Sequence, residues 1–353
     1  MSPGFEALLA ASADDRRDAF IATGRRLGTA EQNVEKDFWV CWTLDALFHA
    51  LPPGSPRLLF KGGTSLSKCY GLISRFSEDI DVTVFREDLH EPATVEALEK
   101  LSGKKRQAKL DAIRSACQDY IGGPLKQQLG DILRESLVRA GLDPRAGRIE
   151  SDAADPDGQT LLLWYPSATT PAGSYVRPAV KIESGAKSAL DPNQSVTIRP
   201  YVAGDVAGLD LDVAGITAVD AERTFWDKVV ILHGTRRWFE RRGQLRGEGQ
   251  RVSRHYYDIH CLMADEVARA ALGDMALGED CVRHARMFFN RPDLDLKTAE
   301  PGSFALMPVA DMRSALARDY DAMRGMIFGD VPDFADIMMS VEKLEATLNG
   351  RQT

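Results

Sequence analysis

Two short segments carry the residues best suited to chemistry. The first, Phe60-Lys61-Gly62-Gly63-Thr64-Ser65-Leu66-Ser67-Lys68, sets adjacent glycines between a short apolar run and a stretch of helical character. Glycines at a strand-to-helix turn let the backbone approach a phosphate closely, and the helix start offers unpaired N–H groups and partial positive charge. The hydroxyls of Thr64 and Ser65 can add donors. The G-x-x-x-x-G-K-[ST] spacing of a Walker A loop is absent, which disfavours a Walker-type NTPase. The second segment, Arg75-Phe76-Ser77-Glu78-Asp79-Ile80-Asp81-Val82, alternates acidic and apolar residues, so a strand would point Asp79 and Asp81 to one face. Carboxylates held that close repel unless protonated or bridged by a cation, and hard oxygen ligands favour Mg²⁺ or Mn²⁺. A metal that bridges triphosphate oxygens and an incoming hydroxyl is what in-line nucleotidyl transfer requires. An isolated D-x-D pair is more often a solvated strand edge; the glycine turn one helix earlier gives this one its weight.

The elements that must position these residues are legible in outline. Ala30 to His49 reads as a helix ended by Pro52, Pro53 and Gly54. The order strand, glycine turn, helix follows from Arg57, and the acidic alternation at Asp79 is a strand. From Glu91 to about Gly141 the pattern is helical, with a break at Gly122, Gly123 and Pro124. Three β-branched or aromatic runs, QTLLLWYP, RPAVKIESG and SVTIRPYV, then read as short strands. From Asp220 the chain is helical again. The expected fold class is α+β: an N-terminal helical segment (1–50), a core with a mixed sheet and helices (51–215) and a C-terminal helical domain (216–353).

Composition excludes several classes. The 353 residues hold 44 basic and 52 acidic side chains, a net charge of −8, with 44% hydrophobic residues. That is too apolar for a disordered chain, and charges interrupt every run that could cross a bilayer. The N-terminus lacks a basic region ahead of an apolar core, so no secretion signal is expected. Five scattered cysteines, with no C-x-x-C pair, read as reduced thiols of a cytoplasmic protein.

The combination GGTSLSKCYGLISRFSEDIDV resembles the signature of the AbiEii/AbiGii-type nucleotidyltransferase toxins, a family that includes the mycobacterial MenT group and belongs to the DNA polymerase beta-like nucleotidyltransferase superfamily. The resemblance implies a polymerase beta-like core in which Lys61, Gly62, Gly63, Thr64, Ser65, Lys68 and Ser77 surround the nucleotide and Asp79 and Asp81 hold the metals. It also implies a third carboxylate on a neighbouring strand, and VKIESG supplies Glu183, as metal ligand or general base; Lys181 on the same side is a partner that can merely neutralise it. AERTFWDKVVILHG resembles the family's lysine helix, with Lys228 at that position, and RHYYDIHCL its last motif, with Asp258 as the acid. In some relatives a serine at the position of Ser77 is phosphorylated by a kinase-like antitoxin, and phosphate there would oppose metal and triphosphate binding.

Seven arginines (236, 237, 241, 242, 246, 251 and 254) stand against Glu240 and Glu248 in one stretch, interleaved with Trp238 and Phe239. Such a stretch suits phosphate contact and base stacking, and Gly243, Gly247 and Gly249 suggest a mobile loop; the alternative is a solvated charged face. Arg236, Arg237, Arg241, Arg242, Arg246 and Arg254 are the expected RNA contacts. Lys100 to Lys109 is a second basic cluster. The implied activity is Mg²⁺- or Mn²⁺-dependent transfer of NMP from an NTP to the 3′ end of tRNA, by a monomeric toxin with a cognate antitoxin and no membrane partner. Two alternatives stay open: phosphoryl or nucleotidyl transfer to a protein or small molecule, and a nucleotide-binding regulator without turnover.

Overall fold

The computed structural model describes residues 2–77, 79–169, 177–246 and 251–350. Three helices open the chain: α1 (Pro3–Ala10), α2 (Ala13–Leu27) and α3 (Glu31–Asp45). Then come β1 (Leu58–Lys61), α4 (Gly62–Lys68), β2 (Asp79–Val84), α5 (Val95–Glu99), α6 (Gly103–Tyr120) and α7 (Lys126–Arg139). Five strands follow: β3 (Arg148–Ser151), β4 (Thr160–Trp164), β5 (Ala179–Gly185), β6 (Asn193–Ile198) and β7 (Val213–Val219). The rest is helical: α8 (Ala221–Arg242), α9 (Ser253–Met263), α10 (Glu266–Gly273), α11 (Met275–Phe288), α12 (Ala310–Met323) and α13 (Phe334–Leu348). The fold is α+β, as expected from the sequence. The chain divides into two compact units, residues 1–69, 76–93 and 103–219, and residues 70–75, 94–102 and 220–353.

In the first unit the strands form one mixed sheet in the order β3-β4-β5-β2-β1-β7-β6. β2 runs antiparallel to β1 and parallel to β5, so strands distant in sequence become neighbours. β3 and β7 were not foreseen. RIES alternates too briefly, and Gly215 weakens the β pattern of VAGITAV. Helix α3 packs on β2, β5 and β7. It is buried along nearly its whole length, which explains its mixed pattern: Phe38 meets Phe5, Phe20 and Trp39, and Trp39 stacks on Tyr165 with centroids 5.0 Å apart. Its buried acids are satisfied individually. Glu35 accepts from the Ala168 N–H (2.6 Å), the Thr169 N–H (3.2 Å) and the Ser167 hydroxyl (2.5 Å). Asp45 accepts from the Ser2 N–H at 2.7 Å. The expected break near Gly122 is instead a π-turn, Ile121–Leu125, that joins α6 to α7 with Pro124 inside it. The π-turn widens the helix locally, so Pro124 is carried without ending the helical path.

In the second unit α8 and α9 pack together, and α13 packs on α9. Buried polar centres help hold it, two of them on α8. At the first, Asp258 on α9 accepts two hydrogen bonds from Arg75 (2.7 and 2.9 Å) and one from Lys228 on α8 (2.7 Å). All three residues are buried. Burial would raise the Asp258 pKa, but the Arg75 guanidinium and Lys228 ammonium outweigh it and hold the carboxyl well below its usual range. At the second, His233 on α8 accepts the Ala305 N–H at Nδ1 (3.1 Å), which leaves its proton on Nε2, 3.3 Å from the Asp295 carbonyl. Burial pushes this imidazole down to about 4.

Two outcomes follow for the second unit. Asp258→Asn leaves two cations buried without a carboxylate and is expected to cost about 3–5 kcal/mol in urea unfolding, whereas Lys228→Met keeps the bidentate Arg75 pair and costs clearly less; equal losses would contradict this division of roles. For His233, the unfolded imidazole takes its proton near pH 6.5 and the folded one only near 4. Between those values the unfolded state binds more protons, so stability falls as pH drops, by about 3 kcal/mol across the window. His233→Gln, less stable at neutral pH, is expected to lose this component, read from the pH slope of the unfolding free energy.

Candidate active site

The carboxylates are placed by strand register. Asp81 on β2 faces Lys61 on β1 and Glu183 on β5, and Glu183 faces Thr160 on β4; one step along, Asp79 faces Lys181. Directly paired residues project to the same side of a sheet, and side chains alternate with period two. Lys61, Asp79, Asp81, Lys181 and Glu183 therefore share one face, and each is half-buried. Ile80, Val82 and Ile182, at the alternate positions, are buried. Adjacent strands lie about 4.8 Å apart, so three carboxylates adjoin one another on this face, with Lys61 beside Asp81 and Lys181 beside Asp79. The Lys181 ammonium lies 2.5 Å from Glu183, and that of Lys61 lies 3.9 Å from Asp81. Partial burial lowers the Lys181 pKa, but the hydrogen bond and charge of Glu183, with the charge of Asp79, raise it overall.

The glycine turn closes over this face. Gly62 has φ +82°, the left-handed region that favours glycine, and a Cβ built there would lie 2.2 Å from the Asp81 carboxylate. A side chain at 62 would therefore collide with the acid that the turn is meant to approach. The hydroxyls expected as phosphate donors are already engaged: Ser65 donates to the Gly62 carbonyl (2.9 Å), while Thr64 bonds the Ser77 hydroxyl (2.7 Å) and donates to the Asp79 carbonyl. Thr64 thus ties α4 to the start of β2, and Ser77 is part of that tie. Glu78 lies outside the described residues.

Lys68, expected beside the nucleotide, is buried instead. It pairs with Asp37 of α3, lies 3.3 Å from the centre of the Tyr201 ring, and Asp37 also accepts the Tyr201 N–H at 2.7 Å. Burial would lower its pKa, yet the charge of Asp37, joined by Cys41 and Tyr201, outweighs it and raises the pKa above the usual lysine value. This is a clamp on the end of α4, and only its partner in α3, far back in the sequence, distinguishes it from a free lysine. An open depression of the first unit, bounded by Arg199 and residues 203–212, includes none of the candidate residues.

Lys228 and Asp258 belong to the second unit, where the structure joins them to each other and to Arg75; Asp79, Asp81 and Glu183 belong to the first. The buried pairing with Arg75 was missed, although an arginine four residues before Asp79 was visible.

The arginine stretch begins on a helix, which carries Arg236, Arg237, Arg241 and Arg242. α8 runs to Arg242 and ends on Gly243 in the left-handed conformation; Gly247, Glu248 and Gly249 lie outside the described residues. Arg236 and Arg237 pair with Glu240, Arg242 with Asp293 (2.5 Å) and Arg241 with Asp295 (3.5 Å). The two aspartates come from a later segment, so sequence proximity overstated the local positive charge. Arg246 lies over the Trp238 ring, 5.6 Å from its centre. Arg246 and Arg254 have no acidic ion-pair partner among the described residues. No helix among those residues is long and apolar enough to cross a membrane.

No curated protein matches the sequence. Among solved structures, the nucleotidyltransferase toxin MenT4 from Mycobacterium tuberculosis H37Rv is similar, with 16% identity, 99% of this chain and 90% of that chain covered, and a TM-score of 0.45. The sequence model of the family described as "Nucleotidyl transferase AbiEii toxin, Type IV TA system" matches residues 45–347, which include the glycine turn, the D-x-D strand, Glu183, Lys228 and Asp258. The chain belongs to this AbiEii family of nucleotidyltransferase toxins of toxin–antitoxin systems.

Proposed function

We propose that the protein transfers a nucleoside monophosphate from an NTP to the 3′ end of tRNA, which blocks aminoacylation and arrests translation until a cognate antitoxin relieves it. The observation that carries this reading is the approach of the Gly62 turn to Asp81 on a face that also holds Asp79 and Glu183. Asp79 and Asp81 are the ligands for Mg²⁺ or Mn²⁺, which when bound would supply Lewis-acid stabilisation of phosphate charge. Among the described residues no three acid, imidazole or thiol side chains are already gathered as a metal cage. The donor set nevertheless fits Mg²⁺, which keeps several waters and is held by one or two carboxylates plus substrate phosphates.

In this reading each residue of the chain has a separate task. The backbone at Gly62 and Gly63 lies against the triphosphate, since neither glycine carries a side chain to exclude it. Lys61, one residue earlier and on the carboxylate face, balances phosphate charge. Glu183, next to Asp81, accepts the acceptor's hydroxyl proton or serves as the third ligand. Thr64, Ser65, Ser77 and Lys68 are positioning residues that fix α4 and the start of β2. Lys228 and Asp258 hold the structure of the second unit, because their charges are directed at each other and at Arg75. Arg246 and Arg254 contact RNA phosphates, with the paired arginines of α8 secondary.

Incubation with α-labelled NTP, Mg²⁺ and total RNA is expected to place label on tRNA; label from the γ-phosphate, or on protein, would indicate the other acceptor chemistries. Asp79→Asn and Asp81→Asn are each expected to lower transfer about a thousandfold or more, since several kcal/mol of charge stabilisation is at stake, with unchanged melting behaviour. Replacing Arg246 and Arg254 together with Gln is expected to weaken tRNA binding and flatten the log–log salt dependence by about 2. The same change at Arg241 and Arg242 is expected to flatten it less, because Asp293 and Asp295 already balance those charges.

A further inference from the structure

The lysines of the carboxylate face have no task in the scheme above beyond Lys61, yet one of them is held most tightly to an acid. Three carboxylates, Asp79, Asp81 and Glu183, stand on adjacent strands at pairing distance, and such a group repels itself unless cations intervene. In the chain as folded, the interposed cations are protein side chains. Lys181 is the register partner of Asp79 and reaches along its own strand to Glu183 at 2.5 Å; Lys61 is the register partner of Asp81, at 3.9 Å. The two contacts differ in kind. The Lys181 contact is a direct hydrogen-bonded ion pair, whereas the Lys61 contact is a longer-range attraction.

We propose that Lys181 is an internal counter-cation that occupies Glu183 and withholds it from a divalent metal until that metal arrives with a nucleotide. The inference rests on the reading of Asp79, Asp81 and Glu183 as the metal-binding face. Its physical basis is competition: an ammonium and a divalent cation cannot both take the same carboxylate oxygen, and a nearby positive charge also repels the incoming ion. The lysine is suited to leave. Its side chain is 36% exposed and that of Glu183 is 40% exposed, so rotation about the flexible lysine stem moves the ammonium into solvent or toward an incoming phosphate without opening the core. Free metal is then bound weakly by the two aspartates alone. A metal–nucleotide complex brings phosphate oxygens that can receive the displaced ammonium. The consequence is an enzyme that discriminates against binding bare metal and couples metal affinity to the presence of triphosphate.

The test is calorimetric titration of the full-length protein with Mn²⁺ alone, without nucleotide, on wild type, Lys181→Gln, Lys181→Arg, Glu183→Gln and the Lys181→Gln/Glu183→Gln double variant, each checked by thermal melting. Lys181→Gln is expected to bind Mn²⁺ about tenfold more tightly than wild type, in line with the removal of one competing charge in a half-exposed site. Lys181→Arg, which keeps the cation, is expected to stay within about twofold of wild type. The gain is expected to vanish in the double variant, since it arises from release of Glu183. Unchanged or weaker binding by Lys181→Gln, or a gain that survives without Glu183, would overturn the proposal. Asp81→Asn separates the two levels: loss of Mn²⁺ binding there with no gain in Lys181→Gln would leave the carboxylate reading standing and remove only the counter-cation, while undiminished binding in Asp81→Asn would remove both.

Discussion

The parallel pairing of β2 with β5 is the constraint on which the candidate site depends. A shift of one residue in that register would turn Glu183 and Lys181 toward the buried face and leave Asp79 and Asp81 opposite Ile182 and its neighbours. The apolar alternates prevent the slip: Ile80, Val82, Val180 and Ile182 are fully buried on the other side, and exposing them would cost about 1.5–3 kcal/mol apiece. Burial of one face thus specifies the chemistry of the other. The same logic joins β1, whose Phe60 is buried while Lys61 stands beside Asp81.

The glycine turn adds a second constraint, from backbone sterics rather than pairing. Gly62 adopts a positive φ and approaches the Asp81 carboxylate more closely than any Cβ would permit, so the turn and the acid are mutually adjusted. The hydroxyls of Thr64 and Ser65 contribute by holding the turn's own backbone. The Lys68–Asp37 pair fixes the other end of α4, and breaking one partner of a buried pair costs far more than the pair contributes net. The role that remains for this helix is a rigid one.

Buried charge is handled alike in both units. Glu35, Asp37 and Asp45 on α3 and Asp258 on α9 are each surrounded by donors, and no acid among these four depends on solvent. Asp258 has two cationic partners and is the one acid of the four whose loss strands like charges together. Local sequence does not distinguish Lys228 from a surface lysine or a nucleotide contact, because Arg75 and Asp258 are 183 residues apart.

Several features were legible from residues alone because they depend on local rules. Alternation over DIDV places two acids on one face of any strand, adjacent glycines after an apolar run mark a turn into a helix, and the helices from Asp220 follow from their period. The family was legible for the same reason, since its motifs are contiguous. What only the tertiary structure decided is which charges meet. Lys181 holds Glu183, Lys68 is buried on Asp37, and Asp293 and Asp295 balance Arg242 and Arg241, so four of the seven arginines of the basic stretch belong to a paired helix end. The physical reason is range: backbone period and turn chemistry act over a few residues, whereas an ion pair needs only proximity in space, and proximity is settled by strand order and packing.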